Sequence, residues 1–147
     1  MKAGDTLREI LFKAKSKRDG GWAEGYYAQL GIDDHAEHYI IQNVVLTKLF
    51  DDWEKNMQFM DVEIIPETLC QYTGMVDEYG NKIWENDIVK YDDEIVTIEG
   101  DDDYKAFVVV SDTVRENLGE FEECDFEILG NMFDNLDMLK INEADYL

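Results

Sequence analysis

From Lys82 onward, short apolar runs return about every ten residues: KIW, NDIVKYD, EIVTIEG, YKAFVVV and DFEILGN. The breaks between them are rich in Asp, Asn and Gly, the residues that accept tight reversals. Evenly spaced short strands with polar turns predict a small barrel or a strongly bent sheet.

The first half of the chain fits the same picture with one exception. REILFKAKS reads as a strand, KRDGG as a turn and WAEGYYAQLG as a returning strand, so residues 8–30 form a predicted hairpin. HYIIQ is a third short strand. VVLTKLFDDWEKNMQ differs: Val45, Leu46, Leu49, Phe50, Trp53 and Met57 recur at three- and four-residue steps among charged residues. That is the pattern of an amphipathic helix of about three turns. MDVEII is a strand that ends at Pro66, the single proline, and TLCQYT resumes the sheet. Residues 133–140, FDNLDMLK, are expected to close the fold as a short helical turn. Asp134 or Asn135 would cap it, and Leu136 and Leu139 would face inward.

The expected class is therefore α+β and β-rich, a small bent sheet or SH3-like barrel with short helices. Residues 1–140 are read as a single domain, with an N-terminal portion over residues 1–65, a barrel-like portion over residues 66–140, and a polar tail, 141–147. The apolar fraction of 45%, with 12% aromatics, is enough to build a core and too rich for a disordered chain.

Charge limits the partners. Thirteen Lys and Arg face 35 Asp and Glu, a net of −22. Such a chain repels phosphate backbones and anionic membranes, so direct nucleic-acid and membrane binding are not expected. Residues 1–21 carry six basic and three acidic side chains, a net of +3, which leaves −25 for the rest. A basic edge beside an acidic body favours docking of identical subunits; the alternative is a surface that only keeps the protein soluble. Cys70 and Cys124 stand among apolar and aromatic neighbours and are expected to be buried reduced thiols. Residues 1–21 hold no long apolar run, so neither a signal peptide nor a membrane span is expected and the cytoplasm is the expected compartment.

Candidate chemistry is sparse. His35 and His38, in DDHAEH, are the weak metal candidates, three residues apart with Asp33, Asp34 and Glu37 nearby. A zinc site takes three or four ligands, and no third histidine exists to complete this one. Glu99, Asp101, Asp102 and Asp103 lack the spacing of a calcium loop and read as a charged hairpin tip. No phosphate loop or nucleophile elbow occurs. No catalytic residue, cofactor or metal is assigned.

The densest polar stretch is QYTGMVDEYGNKIWENDIV. Gln71, Tyr72 and Thr73 end a strand, and Gly74 breaks it at a bulge or a positive φ. Asp77, Gly80 and Asn81 supply a reversal whose exposed part, Asp77 to Asn81, is a candidate docking tip. Trp84 returns apolar bulk. Asn86 and Asp87 make a second corner, Asn86 by accepting positive φ and Asp87 by bonding back to nearby N–H groups. Tyr72 and Trp84 are placed in the core or at a subunit contact.

The run PETLCQYTGMVDEYGNKIWENDIV resembles the signature of the YopX family, small proteins of bacteriophages and prophages. REILFKAKSKRDGGWAEGYY and FEILGNMFDNLDMLK resemble its opening and closing elements, and the three blocks stand in the family's order. Asn86 replaces the glycine usual before Asp-Ile-Val, and Cys70 stands where glycine is common. The resemblance implies a mixed, β-rich fold with short helices and ring-like homo-oligomers, and it carries no established reaction. The expected role is a non-catalytic phage or prophage accessory protein acting through self-assembly and an unknown host or phage protein. Two alternatives stand beside it: an acidic nucleic-acid mimic that occupies a host DNA-binding protein, and a metal-dependent enzyme using His35 and His38.

Overall fold

The computed structural model describes residues 10–45, 57–103, 106–122 and 125–139. The chain divides into two compact units, Met1–Gln71 and Tyr72–Leu147. The division falls inside the strand Cys70–Val76.

In the first unit, β1 (Phe12–Lys15) and β2 (Trp22–Leu30) form the expected hairpin, with Phe12 opposite Gly25 and Lys15 opposite Trp22. β3 (Glu37–Val45) pairs with β2, and β4 (Met57–Glu63) with β3. All these pairs are antiparallel. The other side of β1 takes the first two residues of β5 (Cys70–Val76), with Lys13 opposite Cys70. Ala14, Ala23, Ile40 and Ile64 are buried, with Phe12, Tyr27, Val62 and Leu69 packed around them. Alternation explains the choice: Ala23 and Tyr27 on β2 point to the same side as Ile40 and Val62 on the neighbouring strands.

The helix expected around Leu49 and Trp53 lies mostly outside the described residues. Its ends do not belong to a helix. Val45 and Met57 are opposed strand residues of β3 and β4.

In the second unit, the remainder of β5 pairs with β6 (Lys82–Trp84), with Tyr72 opposite Trp84. A five-stranded antiparallel sheet follows, built from β7 (Asp87–Tyr91), β8 (Glu94–Asp101), β9 (Ala106–Val110), β10 (Arg115–Asn117) and β11 (Phe126–Asn131), in the order β10-β9-β8-β7-β11. Its core is Ile83, Val89, Val96, Ile98, Val109, Leu118 and Phe126. Tyr91, Phe121 and Phe126 meet ring to ring at centroid distances of 5.1 to 5.7 Å.

The architecture is β-rich, with antiparallel sheets and a few short 3₁₀ turns, but it is not an SH3-like barrel. Closure requires the outer strands of a sheet to pair with one another. Among the described residues β10 pairs only with β9, and β11 only with β7. In the first unit one isolated bridge among the described residues, Ser16 opposite Ile64, links the segments just after β1 and β4. The closing segment also differs from expectation. Residues 137–139 make a helical turn, but Leu136 is 43% exposed rather than inward. Asn135 does not cap the turn with its side chain. Its Oδ1 reaches back to accept the Asn131 N–H at 3.1 Å, while Asn131 Oδ1 accepts from Phe133 and Asp134. Among the described residues no helix is long and apolar enough to cross a membrane.

Candidate functional site

The polar stretch from Gln71 to Asp87 lies along β5, the following reversal, β6 and the corner into β7. Gly74 has φ +90°, within a shift of register between Tyr72 and Val76. Thr73 holds this bulge: its hydroxyl donates to Ile83 O at 2.7 Å and accepts from Met75 N at 3.2 Å. Tyr72 and Trp84 are buried across the ladder, ring centroids 5.5 Å apart, with the Lys82 ammonium 5.9 Å from the Tyr72 ring.

Asp77 is the centre of the arrangement. Its N–H donates to Asn81 O at 2.8 Å, and its carbonyl accepts from Gly80 at 3.0 Å, which closes the reversal with Gly80 at φ +85°. Its side chain is 4% exposed, so it is not part of an exposed tip. Oδ1 accepts from Tyr79 N at 3.0 Å and Asn81 N at 2.8 Å; Oδ2 accepts from Ile128 N at 3.3 Å and Asn81 Nδ2 at 3.5 Å. Glu78 N donates to Phe126 O at 3.0 Å. The reversal is thereby fastened along the outer edge of β11. Burial raises the Asp77 carboxyl pKa, but the N–H donors of Asn81, Ile128 and Tyr79 outweigh it and hold the group below the usual carboxylate range. Glu78, Tyr79, Gly80 and Asn81 are the exposed part of the loop.

The second corner is equally structural. Asn86 has φ +72°; its N–H donates to Ile98 O at 2.6 Å and its carbonyl accepts from Met132 N at 2.9 Å. Asp87 Oδ2 accepts the Trp84 N–H at 2.8 Å. A Cβ at Gly130 would lie 2.3 Å from Asn135 Oδ1, so any side chain there forces Asn135 to shift. Gln71 is half-buried, opposite Phe12.

His35 and His38 do not share a face. His35 ends a 3₁₀ turn, Asp33–His35, and is exposed. His38 lies in β3, stacked on Tyr27, with its Nδ1 2.6 Å from the Tyr27 hydroxyl. Among the described residues no group of three or more His, Cys, Asp or Glu is placed to hold a metal ion. Cys70 is a buried thiol that donates to Thr68 O at 3.3 Å; Cys124 lies outside the described residues. Asp101 closes a hairpin tip, its Oδ1 accepting from Asp103 N and its Oδ2 pairing with Arg115 at 2.9 Å.

Two features were not foreseen from sequence. In the second unit, Glu78, Asp92, Asp125 and Glu127 surround Lys90 and Tyr91 at a pocket of about 330 Å³. The fields of Glu78 and Glu127 push the neighbouring Tyr79 phenol above its ordinary pKa. In the first unit, β2 is apolar on both faces. Tyr26, Ala28 and Leu30 lie on the side away from the core, across from Ile41, Tyr39 and Glu37. Tyr26 is 54% exposed, Leu30 59%, and the adjoining Ile32 76%. The signal was present in WAEGYYAQLG, where neither parity is polar throughout.

The protein class defined by this geometry is a β-rich antiparallel protein whose most polar segment is bonded into its own backbone. The chain belongs to the YopX family: the family model described as YopX protein matches residues 11–140. The resemblance carried by the three sequence blocks thus extends over most of the chain. No curated protein matches it.

Proposed function

We propose that this chain is a non-catalytic phage or prophage accessory protein of the host cytoplasm that works by self-assembly and by binding a protein partner. The observation that carries this reading is the exposed apolar face of the first unit, formed by Tyr26, Leu30 and Ile32 beside half-buried Tyr39 and Ile41. Monomeric proteins seldom leave large contiguous apolar patches in water. The bonding of Thr73, Asp77 and Asp87 within the signature supports the absence of catalysis. Light scattering on the full chain at moderate salt tests the reading. A mass above the monomer is expected, and a strict monomer at high concentration refutes self-assembly.

The second reading, a mimic of nucleic acid directed at a host DNA-binding protein, is favoured by the carboxylates gathered at Glu78, Asp92, Asp125 and Glu127. It predicts that a pull-down from bacterial lysate at low salt recovers such a protein. Recovery of none would end it.

A further inference from the structure

Among the described residues β4 is an edge strand, with its outward backbone groups unbonded along most of its length. The Ile64 N–H bonds to His38 O at 2.9 Å, which sets the alternation: Val62, Met60 and Gln58 bond towards β3, and Glu63, Asp61, Phe59 and Met57 present their N–H and C=O groups outward. Among the described residues only the far end of this outer row is used. Lys17 N donates to Glu63 O at 3.0 Å, and Ile65 N donates to Lys15 O at 2.8 Å. At that point the chain turns away, because Ser16 N bonds to Gly21 O and Gly20 N to Ser16 O. The strand that would have continued beside β4 becomes the β1–β2 turn. A cleft of about 620 Å³ remains where it would have run, with Ala23, Val62 and Met60 among its apolar lining and Lys17, Arg18 and Asp61 at its polar side.

The other sheet edges are protected in ways that β4 is not. β10 and β6 have three residues each. The outer side of β11 is taken by Asp77 and Glu78. β4 has seven residues, and among the described residues no backbone bond reaches the outward groups of Met57, Phe59 or Asp61. A long edge with a ready row of donors and acceptors is a template for another strand.

We propose that β4 pairs antiparallel with β4 of a second copy, which joins two first-unit sheets edge to edge. The proposal rests on the self-assembly reading and specifies one interface within it. Charge selects the register. Centring the pair on Asp61 would oppose two carboxylates, which is unfavourable across a ladder. Centring it on Phe59 sets Asp61 against Met57 of the other copy and satisfies the outward groups of all three residues. It also keeps the β1–β2 turn of each copy beyond the paired segment.

Native mass spectrometry and light scattering on the full chain test this with Asp61→Pro. The proline removes an outward N–H that bonds nothing among the described residues, so the fold tolerates it at an edge. Arg115→Pro on β10, whose N–H also faces away from the neighbouring strand, is the control. The expected result is an assembled wild type, an assembled Arg115→Pro, and an Asp61→Pro protein of lower mass with an unchanged circular dichroism spectrum. If wild type assembles and Asp61→Pro keeps the full mass, the β4 interface is wrong and self-assembly stands. If wild type is monomeric throughout, both fail. Should Asp61→Pro not fold, amide exchange of the wild type decides. Exchange at Phe59 and Asp61 slows at least about tenfold from dilute to concentrated protein if their N–H groups pair between copies. Equal exchange at both concentrations overturns the interface.

Discussion

Replacing Asp77 tests whether the signature reversal is held by its carboxylate. Asp77→Ala removes the acceptor of three backbone N–H groups, those of Tyr79, Asn81 and Ile128. Tyr79 and Asn81 are exposed, so water replaces most of what they lose. Ile128 is half-buried beneath the loop, and its N–H is left poorly satisfied. One such donor costs about 1–3 kcal/mol, and the two exposed ones add a fraction of that, so a loss of about 2–4 kcal/mol is expected. Asp77→Asn retains one acceptor oxygen but turns an NH₂ group towards N–H donors, and should fall between wild type and Asp77→Ala.

The sign of the pH dependence follows from the depressed carboxyl. A group whose pKa is lower folded than unfolded contributes fully above the unfolded value, and the contribution disappears as pH falls through the folded value. The stability difference between wild type and Asp77→Ala should therefore be largest at neutral pH and shrink below the usual carboxylate range. Urea unfolding followed by Trp84 fluorescence at pH 7 and in acid measures that difference, and exchange of the Ile128 amide reports the site itself. The reasoning is refuted if Asp77→Ala unfolds within about 0.5 kcal/mol of wild type at pH 7, the scatter of an ordinary surface change.

At Asn86, φ +72° penalises a β-branched side chain, so Asn86→Val should cost at least about 1–2 kcal/mol and Asn86→Gly less, as read by thermal melting. Gly130→Ala places a methyl against Asn135 Oδ1 and should cost about 1–3 kcal/mol by the same assay, with partial rescue when Asn135→Ala is added. The Tyr39 phenol, hydrogen-bonded to Glu37 at 2.5 Å, is pushed up to about 12 by that bond, with burial and the charges of Glu37, Glu63 and Asp61 adding to it; Glu37→Gln should lower its titration midpoint, monitored by phenolate absorbance. With a net charge of −22, the chain should melt higher in 0.5 M salt than in roughly 0.01 M salt, because screening relieves self-repulsion; an unchanged melting temperature would show that the carboxylates are already compensated.

Local chemistry was readable from sequence, and closure was not. The β1–β2 hairpin, the stop at Pro66, the irregularity at Gly74 and the corner at Asn86 each follow from what one or two residues can do with their φ angles or N–H groups. Whether the second sheet closes depends on β10 and β11 meeting, a relation between distant strands that alternation does not encode. β10 itself is three polar, exposed residues and gives no periodic signal. Asp77 shows the same limit from the other side. Its bonds to Tyr79 and Asn81 are an ordinary turn pattern, but its bond to Ile128 spans 51 positions, and that contact accompanies the burial of the carboxylate. The edge at β4 was hidden for a related reason: nothing in KRDGG says which neighbour the turning chain abandons.

The placement of the signature bears on where function should be sought. Thr73, Asp77, Asn86 and Asp87 are each engaged with backbone of the second unit, so a chain that keeps them keeps this backbone path. Resemblance through such residues identifies a fold and leaves the surface unconstrained. Two surfaces among the described residues that lack a structural explanation, the outer face of β2 and the edge of β4, lie in the first unit, to which the signature contributes only residues 66–71. The self-assembly proposed above would draw on positions such as Tyr26, Leu30 and Asp61. Substitutions there should alter assembly or binding and leave the melting temperature almost unmoved, whereas substitutions at Asp77 or Asn86 should do the reverse.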